Sequence, residues 1–152
     1  MGAAFFYHLT RSSLDEALSL LIDRSLGNGW RVAVRGTDAG RLEWLDQKLW
    51  MGPEEQFLPH GMAGGAHDAL QPVLLTTGTE RPNDAVCLMA IDRANVAPDE
   101  VNTLNRVCIV FDGYDYDQLT HARGQWKSLT DAGCSAQYWS EESGRWEKKA
   151  EK

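Results

Sequence analysis

Three short runs in the second half of the chain, Val73–Thr77 (VLLTT), Val86–Asp92 (VCLMAID) and Val107–Phe111 (VCIVF), contain almost no polar residues. Apolar runs of this length read as strands, and a strand apolar at nearly every position needs cover on both faces. The cover is visible in the same sequence. Ser13 opens a capping box with Glu16. Leu14, Ala17, Leu18, Leu21 and Ile22 follow at helical spacing until Gly27-Asn28-Gly29 stops the helix. A second helix starts at Thr37 or Asp38, carries Leu42, Leu45 and Leu49, and ends at Gly52-Pro53. Leu119, Ala122, Trp126 and Leu129 mark the last long helix, closed by Gly133. Ala4–Leu9 (AFFYHL) and Trp30–Val34 (WRVAV) read as two further strands, and Ser135–Ser140 (SAQYWS) as a final edge strand. Strands alternating with helices predict a three-layer α/β sandwich around a largely parallel sheet.

A chain of 152 residues suits one domain over 1–152, with a polar tail from about 147 that is expected to fray. No run approaches the apolar length of a membrane span, and MGAAFFYHLTRSS has neither the basic start nor the apolar stretch of a secretory leader. Fifteen Lys and Arg stand against 22 Asp and Glu, a net charge of −7. Such a balance argues against direct nucleic-acid binding beyond a weak local contact. Cys87, Cys108 and Cys134 are odd in number and far apart, without a C-x2-C pair, and read as buried thiols of a cytoplasmic protein.

The chemistry usual for this architecture lacks its motifs. After the first strand the chain reads Leu9-Thr10-Arg11-Ser12, not G-x-G-x-x-G, and there is no Walker A sequence or G-x-S-x-G elbow. Gly61, Gly64 and Gly65 cluster without a preceding strand or a following lysine. His60 and His67 lack the i, i+4 spacing of helical metal ligands, and His8 reads as a core or edge residue. No cofactor is expected. Two sets of residues stay open. Asp92 and Asp112 end strands, and Asp115 and Asp117 follow; they suit either turns and a helix cap or a Mg²⁺- or nucleotide-dependent enzyme using Asp92, Asp112 and Asp115. On the last helix Arg123 and Lys127 are four apart with Trp126 beside them, and Arg145, Lys148 and Lys149 follow. Two cations next to an aromatic wall suit a short acidic peptide with a hydrophobic end. The stretch Met51–Leu70 has no periodicity and reads as a binding loop around Phe57, Pro59 and His60.

Several ordered segments carry a resemblance. They are FFYHL; Leu45-Asp46, Leu49-Trp50 and Phe57-Leu58-Pro59-His60-Gly61 with Ala63-Gly64; Gln71-Pro72-Val73; and Val110-Phe111-Asp112-Gly113. Ala122-Arg123, Trp126-Lys127, Ala132-Gly133, Tyr138-Trp139 and Gly144-Arg145-Trp146 complete the series. The chain resembles the chi subunit family of bacterial DNA polymerase III over nearly its whole length, and the spacing LW-x6-F-x-PH is the most specific element. The resemblance implies a Rossmann-like fold without nucleotide binding, and a non-catalytic accessory subunit of the replisome's clamp loader. It implies two partners. One is the acidic, Phe-terminated tail of single-stranded-DNA-binding protein, held by Arg123, Trp126 and Lys127. The other is the psi subunit, met by the segment of Trp50, Phe57, Pro59 and His60. Leu119 stands where the family has a basic residue one turn before Arg123. The longer segment Gln137–Lys149 offers Arg145 or Lys148 as replacement cations.

Overall fold

The computed structural model describes residues 2–50, 60–64 and 68–152. In chain order the elements are β1 (Ala4–Leu9), α1 (Leu14–Gly27), β2 (Val32–Arg35), α2 (Ala39–Trp50), β3 (His60–Met62) and β4 (Val73–Thr76). Then come β5 (Cys87–Ala90), α3 (Pro98–Thr103), β6 (Arg106–Asp112), α4 (Tyr116–Asp131), β7 (Ala136–Ser140) and β8 (Glu147–Glu151). The strands form one sheet in the order β3-β4-β2-β5-β6-β1-β7-β8. Every pairing is parallel except β7 with β8. This is the α/β sandwich with a largely parallel sheet that the apolar runs predict.

The two faces are covered by different helices. Leu18 and Ile22 of α1 and Leu42, Leu45 and Leu49 of α2 pack with Val34, Val73, Met89 and Val110 on one face. Val101 of α3 and Ala122 and Leu129 of α4 pack with Phe6, Ala33, Leu88, Ile109 and Phe111 on the other. Strand alternation divides β1 accordingly, with Phe6 toward α4 and Tyr7 and Leu9 toward α1. At the start of α1 the Ser13 hydroxyl accepts from Glu16 N at 3.4 Å, as expected of the cap, but the Glu16 carboxylate reaches back to the Ser13 hydroxyl at 2.8 Å rather than to its backbone N–H. Asp38, rather than Thr37, caps α2 by accepting from Arg41 N at 2.9 Å. Among the described residues no helix is long and apolar enough to cross a membrane, and the three cysteines are buried free thiols.

Four readings change. The second strand lies at Val32–Arg35, two residues later than WRVAV suggests at its start, and ends on a buried arginine. Within the stretch expected to be loop, His60–Met62 pairs in parallel with β4 and forms one edge of the sheet. Three residues are too few to show a period. Helix α3 was not visible because six residues make fewer than two turns; Pro98 at its first position and Glu100 reaching back to Ala97 N start it. The tail expected to fray from about 147 instead forms β8, antiparallel to β7, and closes with paired backbone bonds between Ala136 and Lys152. The sequence EKKAE is polar because an edge strand faces solvent; its order comes from backbone bonding, which composition does not report.

Candidate functional site

Helix α4 carries the basic–aromatic set. Asp115 caps it by accepting from Gln118 N at 3.1 Å, and Ala122 and Leu129 are sunk into the sheet. The turn of the helix therefore leaves Arg123 and Lys127 in solvent and brings Trp126 to the boundary, half-buried. Trp126 meets Phe6 edge-on at 5.3 Å between ring centres and Tyr138 at 6.0 Å. The aromatic surface continues through Tyr138 to His8 at 5.9 Å and on to Phe111 at 5.1 Å. His8 Nδ1 lies 2.8 Å from the Tyr138 hydroxyl. A Cβ at Gly113 would collide with the His8 ring, so glycine at that position is what lets the imidazole lie against Phe111.

The charge of Arg123 is felt by this array. Burial lowers the pKa of His8, nearby Glu142 opposes that, and the Arg123 guanidinium adds to the lowering. Burial raises the pKa of Tyr138, and Arg123 opposes it. Among the described residues Arg123 has no ion-pair partner, whereas Lys127 is held by Asp131 at 2.8 Å with both side chains largely in water. The hydrogen bond and charge of Asp131 raise the pKa of Lys127. Leu119, one turn before Arg123, packs against the core.

The other anticipated cations have acidic partners on the β7–β8 hairpin. Arg145 lies in the turn between β7 and β8 and meets Glu147 at 3.5 Å. Lys148 pairs across the strands with Trp139, on the α1 side of the sheet, and with Glu151 at 3.3 Å. Lys149 meets Glu147 at 3.4 Å.

Of the second set, the backbone of Trp50 closes α2, and Phe57 and Pro59 lie outside the described residues. His60 is buried, with Nε2 3.1 Å from the Asp46 carbonyl and 3.0 Å from its carboxylate, so it fastens β3 to α2.

The aspartates at the strand ends have structural partners. Asp92 sits in a left-handed turn, φ 49°, followed by Arg93 at 68°. Its carboxylate is gripped by Arg41 at 3.1 and 3.3 Å and its carbonyl by the Thr37 hydroxyl at 2.9 Å. Asp112 accepts from Tyr114 N at 2.9 Å, and Asp115 is the α4 cap. Among the described residues no three His, Cys, Asp or Glu side chains converge as metal ligands would.

Residues 1–137 match the family of the DNA polymerase III chi subunit, HolC. The chain belongs to that family. A probable DNA polymerase III subunit chi from Rickettsia prowazekii (strain Madrid E) is 26% identical over 111 residues, 70% of this chain and 67% of that protein. Chi is an accessory subunit of DNA polymerase III, which places this chi-family chain with the replication machinery rather than among the nucleotide-binding enzymes of similar shape. The match ends at Gln137, so the chi-family region includes all of α4 but not the β7–β8 hairpin beyond its first residues. Sequence reasoning did not find two contributors to the site. His8 and Tyr138 are 130 residues apart, and only the parallel pairing of β1 with β7 puts them together.

Proposed function

We propose that this chain is an adaptor of the DNA polymerase III clamp loader that grips the acidic, Phe-terminated tail of single-stranded-DNA-binding protein at α4 and docks on psi through the segment between α2 and β3. The observation that carries the reading is the exposed guanidinium of Arg123, without an ion-pair partner among the described residues, beside the half-buried ring of Trp126. A terminal carboxylate needs such a cation, and a terminal Phe ring needs an apolar wall. Each charge-assisted bond contributes roughly 1.5–3 kcal/mol, so one or two of them plus a buried ring support micromolar binding after association entropy is lost.

Strand order adds to the adaptor reading. The described ends of the segment that holds Phe57 and Pro59 are the close of α2 and His60 on β3, the first strand of the sheet, whereas α4 lies over β6 and β7. About five strand spacings of roughly 4.8 Å separate β3 from the middle of the α4 side, on the order of 25 Å. Two partners bound there need not compete.

The test is a fluorescence titration with a short acidic peptide ending in Pro-Phe, beside its C-terminally amidated copy. Micromolar binding is expected for the free carboxylate and none for the amide, and Arg123→Ala is expected to weaken binding at least tenfold with an unchanged melting temperature. Equal binding of both peptides, or an Arg123→Ala affinity equal to that of the unaltered chain, would remove α4 as the tail site.

A further inference from the structure

We propose that the turn between β1 and α1 is an anion-binding nest whose ligand is the chain's own Glu141. Held there, this carboxylate closes the phosphate position of the fold and locks the β7–β8 hairpin to the sheet. The geometry is independent of the tail-binding reading. One carboxylate oxygen of Glu141 accepts from three successive backbone N–H groups, Thr10 and Arg11 at 3.1 Å and Ser12 at 2.8 Å. The other oxygen accepts from the Ser12 hydroxyl at 2.8 Å. Successive N–H groups aimed at one point form a concavity for an anion. In nucleotide-binding α/β folds the first strand-to-helix turn is where phosphate sits.

Glu141 is only 5% exposed, although it lies in the polar run Ser140-Glu141-Glu142-Ser143. Among the described residues it is held by hydrogen bonds without a paired cation: Arg11, next to the nest, directs its guanidinium to the Glu142 carbonyl at 3.2 Å. Burial alone would raise the Glu141 pKa, and the donors of Ser12, Arg11 and Thr10 more than reverse it. The nest also has capacity to spare. Among the described residues the buried Thr10 hydroxyl oxygen has no hydrogen-bond partner. Thr10 and Arg11 line a cavity of about 500 Å³ together with His8, Gly113, Tyr114 and Glu142. The cavity adjoins the nest at Thr10 and Arg11 and gives a small oxyanion a way to it once the Glu141 carboxylate is removed.

The fold thus keeps a phosphate-shaped turn and fills it from within. A carboxylate arriving from the end of β7 also fixes the hairpin, because Glu141 follows Ser140, whose backbone is paired with His8.

Removing the carboxylate should leave an empty nest that takes a small oxyanion. Melting temperatures of the full chain, Glu141→Ala and Glu141→Gln would be compared in sodium formate, sodium phosphate and sodium chloride at equal ionic strength. Glu141→Ala is expected to melt lower than the unaltered chain in chloride and to regain at least half of the loss in formate or phosphate, after subtracting the salt response of the unaltered chain. Glu141→Gln fills the space with a neutral amide; it is expected to melt lower and to show no anion-specific recovery. In amide NMR spectra of Glu141→Ala, formate should produce saturating shifts at Thr10, Arg11 and Ser12. Recovery no greater in formate and phosphate than in chloride, a Glu141→Gln chain that melts like the original, or shifts scattered over the surface would each overturn the proposal. If Glu141→Ala does not fold in any salt, Glu141→Gln decides between the outcomes. A rise in the melting temperature of the unaltered chain with ATP would also overturn it, since the nest is then open.

Discussion

Two buried charges hold the carboxyl ends of the sheet, and they are satisfied in opposite ways. Arg35, at the end of β2, is 3% exposed, and its five N–H donors meet five acceptors. Three are carbonyls, of Gly78, Thr79 and Asn95, and two are the oxygens of Glu100 at 2.9 and 2.7 Å. Arg81 adds a second cation to the same carboxylate at 3.1 Å. Glu141, past the end of β7, has no cation on its oxygens among the described residues; backbone N–H groups and one hydroxyl serve instead. The first region is an ion-pair network tying β2 to α3 and to the loop after β4. The second is a single anion in a peptide cradle tying the last hairpin to the first turn. A buried charge needs every donor or acceptor matched, but it does not need a counter-ion if enough peptide dipoles point at it.

The comparison predicts that losing the arginine is worse than losing the glutamate. Arg35→Met strands three carbonyls and leaves Glu100 with Arg81 and the Ala97 N–H, and breaking a buried pair from one side costs about 3–5 kcal/mol. Glu141→Ala leaves N–H groups that water or an anion can reach through the adjoining cavity, a loss of about 1–3 kcal/mol. Urea unfolding of the two variants orders them. A Glu141→Ala chain less stable than Arg35→Met would show that the peptide cradle outweighs the ion pair. Arg35→Lys sharpens the contrast: three donors in place of five cannot reach every acceptor, so lysine should recover only part of the loss.

Neither charge was legible in the sequence, and the reason is physical. The strands announced themselves because burial on both faces removes polar residues from a local run, as in VCIVF. Helix α1 announced itself because Ser13 and Glu16 are one turn apart. Arg35 and Glu100 are 65 residues apart, and Glu141 and Ser12 are 129 apart; only strand order brings them together. A buried Arg after WRVAV looks the same on paper as a solvated one, and a Glu in SEESG looks like a turn. At the proposed tail site, Arg123, Trp126 and Lys127 were legible because one helix carries all three, while His8 and Tyr138 were not because two strands share them.

Acid distinguishes the regions less strongly, because both carboxylates shift the same way. Burial raises the Glu100 pKa, but hydrogen bonds from Arg35 and Ala97 and the charges of Arg35 and Arg81 lower it overall. The donors around Glu141 likewise lower it overall. A folded-state pKa below the unfolded value means stability that is complete above the unfolded value, about 4.3 for Glu, and lost as pH falls through the folded one. The stability contributed by these two carboxylates should therefore be complete from neutrality down to about pH 5 and be lost progressively below pH 4. Glu141→Gln should flatten part of that fall, and Glu100→Gln another part. A Glu141→Gln profile parallel to that of the unaltered chain would mean that Glu141 binds its proton equally in both states.

The smallest expected effect lies on the same hairpin as Glu141. Lys148 on β8 meets Glu151 at 3.3 Å, with the side chains 43% and 54% exposed. Water already satisfies both groups, salt screens them, and holding two long side chains together costs rotamer entropy. Lys148→Ala should change stability by about 0.5 kcal/mol or less, and less still at high salt. What holds the strand is its backbone pairing with β7 and the closing bonds between Ala136 and Lys152. If Lys148→Ala destabilised the chain as much as Glu141→Ala, the hairpin would be fastened from its outer edge by surface charge. If it does not, the fastening belongs to the Glu141 carboxylate, which the fold has taken out of water.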